Sequence, residues 1–164
     1  NEERRINMSL ESTKKHLKKY NMEDRIMIFE SSSATVKEVA EAIHCKEEEI
    51  AKTMSFLVED QPIVIVVAGD VKIDNAKYKQ EFHKKAKMVP FDQLIEIIGH
   101  EMGGVGPFGL NTNVKVYFDE SLKRFKYVYP ACGSHNSAIK ITIEELEKVV
   151  DFEKWIDVSK KIEE

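Results

Sequence analysis

A glycine-rich stretch from Gly99 to Gly109 contains the residue types in this sequence that are best suited to close contact with a ligand. Five of the seven glycines of the chain lie within it, and Pro107 limits its flexibility. Because glycine has no Cβ, a ligand can approach the main chain of such a loop closely. No Gly-Lys-Ser/Thr follows and no GxGxxG opens a helix, so the pattern is not that of a phosphate-binding loop. A long turn between a helix and a strand is the simpler alternative.

Two charged side chains stand at the ends of apolar segments. Lys52 is the first residue of a strand-like run. Its aliphatic chain can be buried while the ammonium group reaches solvent, or the ammonium group can bind a ligand. Asp70 follows the apolar run Ile63–Ala68 and is either a turn residue or a carboxylate that orients a hydroxyl group or water. Both alternatives remain open for each residue.

Cys132 and His135 form a Cys-x-x-His sequence in a second loop of small residues. A spacing of three with an intervening glycine rarely aligns a nucleophile with its base, and the pair is only half of a zinc site. We therefore predict no metal and no cofactor, and expect the loop to form part of a pocket wall. The other histidines are interpreted as surface residues, with His100 closest to the glycine stretch: His16, His44, His83 and His100.

The rest of the sequence predicts the elements that position these residues. Ile63–Ala68 is typical of a strand buried on both faces and should form a hairpin with Thr53–Val58. Capping residues predict helices after Thr35, Asp74 and Thr142. Further strands are expected at Arg25–Glu30, Met88–Val89, Val114–Phe118, Tyr127–Tyr129, Ile139–Ile143 and Trp155–Val158, and further helices at Ser9–Tyr20 and Asp92–Ile98. We predict an α+β (mixed α/β) fold with a curled, mixed β-sheet flanked by helices.

The size and composition of the chain are those of one globular domain. A length of 164 residues, 42% hydrophobic and 33% charged, predicts a single domain over residues 1–164, with 1–8 as a frayed lead-in. No apolar run approaches a membrane span and the polar start has no signal-peptide core, so a cytoplasmic protein with no membrane contact is expected. Two cysteines are too few for a disulfide framework.

Three motifs resemble those of the YbaK/prolyl-tRNA synthetase-associated domain family. Gly103–Gly109 is similar to the GGVxPFG signature, which contains the GxxxP substrate loop of that family. Ile50–Thr53 resembles its I-x-K-[ST] element, and Ala68–Asp70 its strand-ending Gly-Asp. Their order and spacing agree, and the resemblance covers roughly residues 35–150. It implies a barrel-like YbaK fold and a free-standing aminoacyl-tRNA editing module that hydrolyses mischarged tRNA in trans.

The resemblance also implies roles for individual residues. Lys52 would contact the tRNA 3′ end near the scissile ester, and backbone N–H groups of the GxxxP loop would stabilise the oxyanion. No hydrolytic triad is recognisable, which fits attack by water or by a group of the substrate itself. The implied catalytic residues are Lys52, Gly103, Gly104 and Val105. The implied substrate-binding residues are Gly69, Asp70, Gly106, Pro107, Phe108, Gly109, Gly133 and Ser134.

The expected partner is the aminoacylated acceptor end of a tRNA, with tRNA for proline as the expected identity and prolyl-tRNA synthetase as a transient partner. A net charge of −4 argues against extensive wrapping of RNA. The segment Lys72–Lys87 nevertheless carries a local charge of +4, and we predict that Lys77, Lys84 and Lys85 contact phosphates. Solvated helix faces are the simpler interpretation of these lysines and of the cluster Lys14–Lys19. A non-catalytic module that senses aminoacyl-tRNA or an amino acid is the alternative function.

Overall fold

The computed structural model describes residues 2–30 and 35–163, in which helices and strands interleave. The helices are α1 (Glu2–Lys18), α2 (Val36–Ile43), α3 (Asn75–Phe82), α4 (Leu94–Ile97) and α5 (Ile143–Val149). The strands are β1 (Ile26–Ile28), β2 (Ile50–Val58), β3 (Gln61–Ala68), β4 (Val71–Ile73), β5 (Lys115–Asp119), β6 (Tyr127–Pro130), β7 (Ser137–Ile139), β8 (Ile141–Thr142), β9 (Trp155–Ile156) and β10 (Ser159–Lys161). Short 3-10 helices lie at Glu23–Arg25, Glu47–Glu49, Phe91–Gln93 and Glu120–Arg124.

Within residues 2–30 and 35–163, six strands form one mixed sheet in the order β8-β6-β2-β3-β5-β9. The pairs β2–β3 and β6–β8 are antiparallel, and the pairs β2–β6, β3–β5 and β5–β9 are parallel. The sheet curls into a half-barrel, and the antiparallel pairs β1–β7 and β4–β10 lie beside it. The predicted α+β fold with a curled, mixed sheet is confirmed.

The β2–β3 hairpin is the centre of the sheet. A two-residue turn joins the strands, because Val58 pairs with Gln61, and Glu59 in that turn has a φ of 58°. Residues Val64–Ala68 of β3 are fully buried, as their continuous apolar pattern predicts. The hairpin therefore holds β2, and with it Lys52, against a strand that is covered on both faces.

Helix α3 packs against the sheet through aromatic rings. Asp74 caps the helix by accepting the N–H of Lys77 at 3.1 Å, as predicted. Tyr78 is fully buried, with its ring centroid 5.1 Å from that of Phe56 and 4.7 Å from that of Phe82. Ala76 is exposed, since the larger Tyr78 takes the buried face of the helix.

The first helix and the isoleucine run differ from prediction. α1 begins at Glu2, so Ser9 is an interior helix residue and residues 2–8 are not an unstructured lead-in. The predicted strand Ile139–Ile143 is divided at Lys140: β7 pairs with β1, β8 pairs with β6, and Ile143 already belongs to α5 because Thr142 caps that helix. Residues 31–33, which follow the predicted strand Arg25–Glu30, lie outside the described residues. Among the described helices, none has both the length and the apolar character that a membrane crossing requires.

Candidate active site

A cavity of about 240 Å³ lies beside β2 at a gap in its pairing. On that edge β2 pairs with β6 at Ile50 and Ala51. Further along, Val89 donates its N–H to Ser55 O at 3.1 Å. The residues between these contacts, 52–54, line the cavity. The predicted strand Met88–Val89 is thus a single bridge from Met88 to Phe56, and it closes one end of the space.

The cavity walls are mostly apolar. Val36 and Val39 of α2 line one side, and Met88 and Leu94 line another. The glycine stretch and the second loop complete the walls. A concave apolar space with few polar groups is typical of a small-ligand site.

Lys52 lines the cavity. It is the third residue of β2 and pairs with Val67 in the sheet. Its Nζ donates a hydrogen bond to the carbonyl oxygen of Val71, at the start of β4. Burial lowers the pKa of the ammonium, and the nearby charge of Asp70 opposes that shift. The result is a half-buried cation that lines the cavity, which is suited to an anionic group or a developing negative charge.

Some backbone N–H groups of the glycine stretch are hydrogen-bonded within the loop, and others are not. Gly103 and Val105 line the cavity, and the N–H groups of both make no hydrogen bond within the described part of the chain. Gly104 donates its N–H to Glu101 O at 3.1 Å, and Gly106 donates to His100 Nδ1 at 3.1 Å. Of the three loop residues predicted to be catalytic, Gly104 therefore has no amide to offer an oxyanion. The N–H groups of Gly103 and Val105 have no hydrogen-bond partner among the described residues.

Close packing explains why glycine occupies two positions of this stretch. A Cβ on Gly104 would lie 2.4 Å from the backbone carbon of Ser134, and a Cβ on Gly106 would lie 1.9 Å from Ala131 O. Gly133 N–H donates to Gly104 O at 2.9 Å across the same interface. The two loops are therefore in backbone contact, and any larger residue at 104 or 106 would separate them.

His100 and His16 are structural residues of this stretch, and their interpretation as surface residues was wrong. His100 is fully buried, and burial lowers its pKa to about 4, so the ring is neutral near pH 7. Because Nδ1 accepts from Gly106, the proton is on Nε2, which has no partner among the described residues. His16 accepts the N–H of Gly109 on Nδ1 at 3.0 Å, and its Nε2 lies 2.6 Å from Val149 O. His44 and His83 are exposed, as predicted.

Helix α1 supports the face of the glycine stretch that does not line the cavity. Ser9 donates its hydroxyl to Gly99 O at 3.2 Å, and Thr13 donates to Phe108 O at 3.3 Å. The Phe108 ring is fully buried with its centroid 5.9 Å from that of His16. Pro107, Phe108 and Gly109 therefore pack towards α1 and are absent from the cavity lining, although they were predicted to bind substrate.

The second loop contributes His135 to the cavity, while Cys132 is buried behind it. Cys132 is fully buried and its pKa is raised by burial, so the thiol is not poised as a nucleophile. Gly133 and Ser134, predicted to bind substrate, pack against α1 and Gly104 and do not line the cavity. In the described part of the chain, no three His, Cys, Asp or Glu side chains are grouped to hold a metal ion.

Glu101 joins the two loops, a contact that the sequence analysis missed. Its Oε1 accepts the backbone N–H of His135 at 2.9 Å and lies 3.0 Å from Nδ1 of the same residue. The Glu101 side chain is almost completely buried. This carboxylate holds the His135 ring at the cavity wall, in the manner of a group that orients an imidazole. No spacing rule connects residues 34 positions apart, so the sequence carried no signal for the pair.

Asp70 and Gly69 lie outside the cavity lining. Asp70 accepts two hydrogen bonds from Arg124, at 2.9 and 2.6 Å, and the hydrogen bonding to this guanidinium lowers the pKa of the carboxyl group. A Cβ on Gly69 would lie 2.0 Å from Glu47 O, so this glycine is required by packing. The pairing with Arg124 favours the structural alternative for Asp70.

The lysines predicted to contact phosphates differ in their surroundings. Lys77 Nζ lies 3.1 Å from Asp157 and donates to Ser159 O at 2.8 Å. Lys84 Nζ lies 3.2 Å from Glu59. Lys85 is exposed and forms no ion pair within residues 35–163 or 2–30. Two of the three ammonium groups are thus already partnered by acidic side chains.

Comparison with known proteins identifies the family. The sequence pattern of the aminoacyl-tRNA editing domain matches residues 30–149, which is most of the chain. The chain belongs to the aminoacyl-tRNA editing domain family. This editing domain is 51% identical over 154 residues to uncharacterized protein YwhH of Bacillus subtilis (strain 168), covering 93% of the chain and 98% of that protein.

Two further similarities are to a proline--tRNA ligase and to a solved structure of the same fold. Over 90 residues it is 30% identical to the proline--tRNA ligase of Lactobacillus gasseri, and that match covers 54% of the chain and 16% of the ligase. Its fold superimposes with a TM-score of 0.83 on the crystal structure of a protein described as a candidate trans-editing enzyme for prolyl tRNA synthetase. That structure is 24% identical in sequence, and the match covers 93% of this chain and 97% of the other. The structural likeness supports the fold.

Proposed function

We propose that this chain is a free-standing aminoacyl-tRNA deacylase that removes a small, wrongly attached amino acid from tRNA. The observation that carries the proposal is that Lys52, Gly103 and Val105 line one cavity in a chain of the editing family, and that the N–H groups of Gly103 and Val105 have no partner among the described residues. A cation and two backbone donors are the groups that an ester needs when its carbonyl oxygen becomes an oxyanion. None of them has to be protonated or deprotonated during the reaction.

The proposed reaction is addition of water to the carbonyl carbon of the aminoacyl ester. The carbonyl oxygen becomes an oxyanion next to the N–H groups of Gly103 and Val105, while Lys52 binds the tRNA 3′ end. The tetrahedral intermediate then collapses, the bond between the acyl carbon and the ribose oxygen breaks, and the ribose hydroxyl recovers a proton from the attacking water. The products are the free amino acid and uncharged tRNA. Because the ester is already activated, positioning and oxyanion stabilisation can supply much of the rate.

The proposed substrate is tRNA for proline that carries a small amino acid. The similarity to proline--tRNA ligase over 90 residues supports this tRNA, and it also supports a transient encounter with prolyl-tRNA synthetase. Translation takes place in the cytoplasm, where we place the protein. Lys77, Lys84 and Lys85 remain predicted phosphate contacts, and of these Lys85 has the exposed ammonium that such a contact requires.

A deacylation panel tests the proposal. Alanine, cysteine, serine and 2-aminobutyrate would each be attached to tRNA for proline, and release of the amino acid would be measured with wild-type protein, Lys52→Ala and Lys79→Ala. Lys79 is an exposed residue of α3 and serves as the matched control. We expect at least one substrate to turn over, with kcat/KM reduced at least tenfold by Lys52→Ala, about 1.4 kcal/mol of transition-state stabilisation. Lys79→Ala should behave as wild type.

Two results would contradict the proposal in different ways. Equal turnover by folded Lys52→Ala would remove this lysine from the mechanism while leaving a deacylase. Saturable binding of aminoacyl-tRNA with no turnover of any member of the panel would instead support the alternative, a module that senses charged tRNA.

A further inference from the structure

The small sheet formed by β4 and β10 places two lysines directly opposite each other. Lys72 pairs with Lys160 in the antiparallel register, and both side chains are exposed. Neither forms an ion pair with any residue that the structure describes. Like charges at directly opposed positions destabilise a sheet. A pair that weakens the sheet and has no ion-pair partner among the described residues is suited to binding an anion from outside.

The acidic residues around this pair are already engaged. Asp70 is bound by Arg124, and Asp157 by Lys77. Asp74 accepts a backbone N–H at the start of α3. The charge of Lys160 contributes to the lowered pKa of Asp74, and the charge of Lys161 contributes to the lowered pKa of Asp70. Among the described residues, no ion pair is formed by any of the three exposed lysines of this sheet: Lys72, Lys160 and Lys161.

This lysine group is linked to the cavity through Lys52. Val71, the residue before Lys72, accepts the hydrogen bond from Lys52, which lines the cavity, and Val71 pairs with Lys161 across the sheet. The lysines of α1 are less directly connected to the cavity. The lysines of α1 belong to a helix that contacts the glycine stretch from behind, through residues such as Phe108 that do not line the cavity.

We propose that Lys72 and Lys160 bind consecutive backbone phosphates at the acceptor end of the tRNA whose esterified 3′ end occupies the cavity. This inference rests on the proposed function for the identity of the RNA. Opposed residues of an antiparallel pair have Cα atoms about 4.5–5.5 Å apart, so two flexible lysines at this spacing can each reach a neighbouring phosphate. A net charge of −4 then restricts binding to a few contacts close to the ester.

The test measures binding of an uncharged acceptor-stem minihelix ending in CCA as a function of salt. The proteins are wild type, Lys72→Thr/Lys160→Thr, Lys84→Ser/Lys85→Ser and a control, Lys19→Ser/Lys148→Ser, which removes the same charge at exposed positions. Threonine suits a strand and relieves the like-charge contact, so the Lys72/Lys160 variant should unfold at the same temperature as wild type or higher. Loss of two phosphate contacts should reduce the salt slope by about 1.4–1.8. The control should keep the wild-type slope.

Hydrolysis of a minimal aminoacyl-adenosine substrate separates the surface from the chemistry. The Lys72/Lys160 variant should hydrolyse this substrate as wild type does and lose activity only on full tRNA. An unchanged salt slope in that variant, a slope lost in the Lys84/Lys85 variant instead, or no minihelix binding by wild type would each overturn the assignment. Minihelix binding that depends on Lys72 and Lys160, without hydrolysis of any ester, would uphold the surface and overturn the proposed function.

Discussion

Lowering the pH from 7.5 to 5 should destabilise this fold through His100. The pKa of this buried ring is about 4 in the folded protein and close to 6.5 in an unfolded chain. Between those values the unfolded chain binds a proton that the folded protein does not, so the free energy of unfolding falls as the pH falls through this range. The two pKa values give a loss of about 2 kcal/mol by pH 5. Carboxylates with lowered pKa, such as Glu145 at about 2, lose their contribution at lower pH.

The assay is urea unfolding at pH 7.5, 6.5 and 5 for wild type, His100→Asn and His83→Asn. Asparagine at 100 can place Oδ1 where Nδ1 accepts from Gly106 but does not titrate, so this variant should be less stable at pH 7.5 yet nearly independent of pH over the range. His83 is exposed, and its backbone is in the left-handed region with a φ of 59°, which asparagine tolerates. The stability of His83→Asn should therefore depend on pH as that of wild type does. If His100→Asn loses as much stability as wild type between pH 7.5 and 5, another group is responsible.

Three further predictions test the packing and the chemistry of the site. Gly106→Ala should lower the free energy of unfolding by about 1–3 kcal/mol, because its Cβ would lie 1.9 Å from Ala131 O; a urea midpoint equal to that of wild type would show that the loops can separate freely. Cys132→Ser should keep deacylation within a few-fold of wild type, and EDTA should have no effect on either protein; activity lost on chelation and restored by zinc would contradict this. Arg124→Gln should cost no more than about 1 kcal/mol of unfolding free energy, because the pair with Asp70 is partly exposed. A large fall in kcat/KM with normal stability would return Asp70 to the active site.

Local patterns predicted most of the elements because their determinants are close in sequence. Thr35 and Asp74 each accept a backbone N–H three residues later, so capping required only neighbouring residues. The continuous apolar run Ile63–Ala68 predicted a doubly covered strand for the same reason. Lys52 lies near the start of β2, as the apolar run that follows it indicated, while its contact with the tRNA 3′ end stays a prediction.

The partners of the site residues could not be predicted in this way. The Asp70–Arg124 contact joins residues 54 positions apart, and the His16–Gly109 contact joins residues 93 apart. Such pairs depend on how the sheet curls and where α1 packs, which no periodicity encodes. The burial of His100 could not be predicted for a similar reason. A histidine in a loop is normally expected to be exposed, and only the structure shows the backbone N–H of Gly106 that its ring accepts.

The support that α1 gives to the glycine stretch determines how much sequence forms a working unit. The family pattern begins at residue 30, so Ser9, Thr13 and His16 all precede it. A fragment restricted to residues 30–149 would retain Lys52 and the whole GxxxP motif, yet lose the side chains that fix Gly99, Phe108 and Gly109 from behind. Transplanting this loop into another scaffold would therefore require a supporting helix as well. The residues of α1 that hold the loop in place are not part of the loop's own sequence motif.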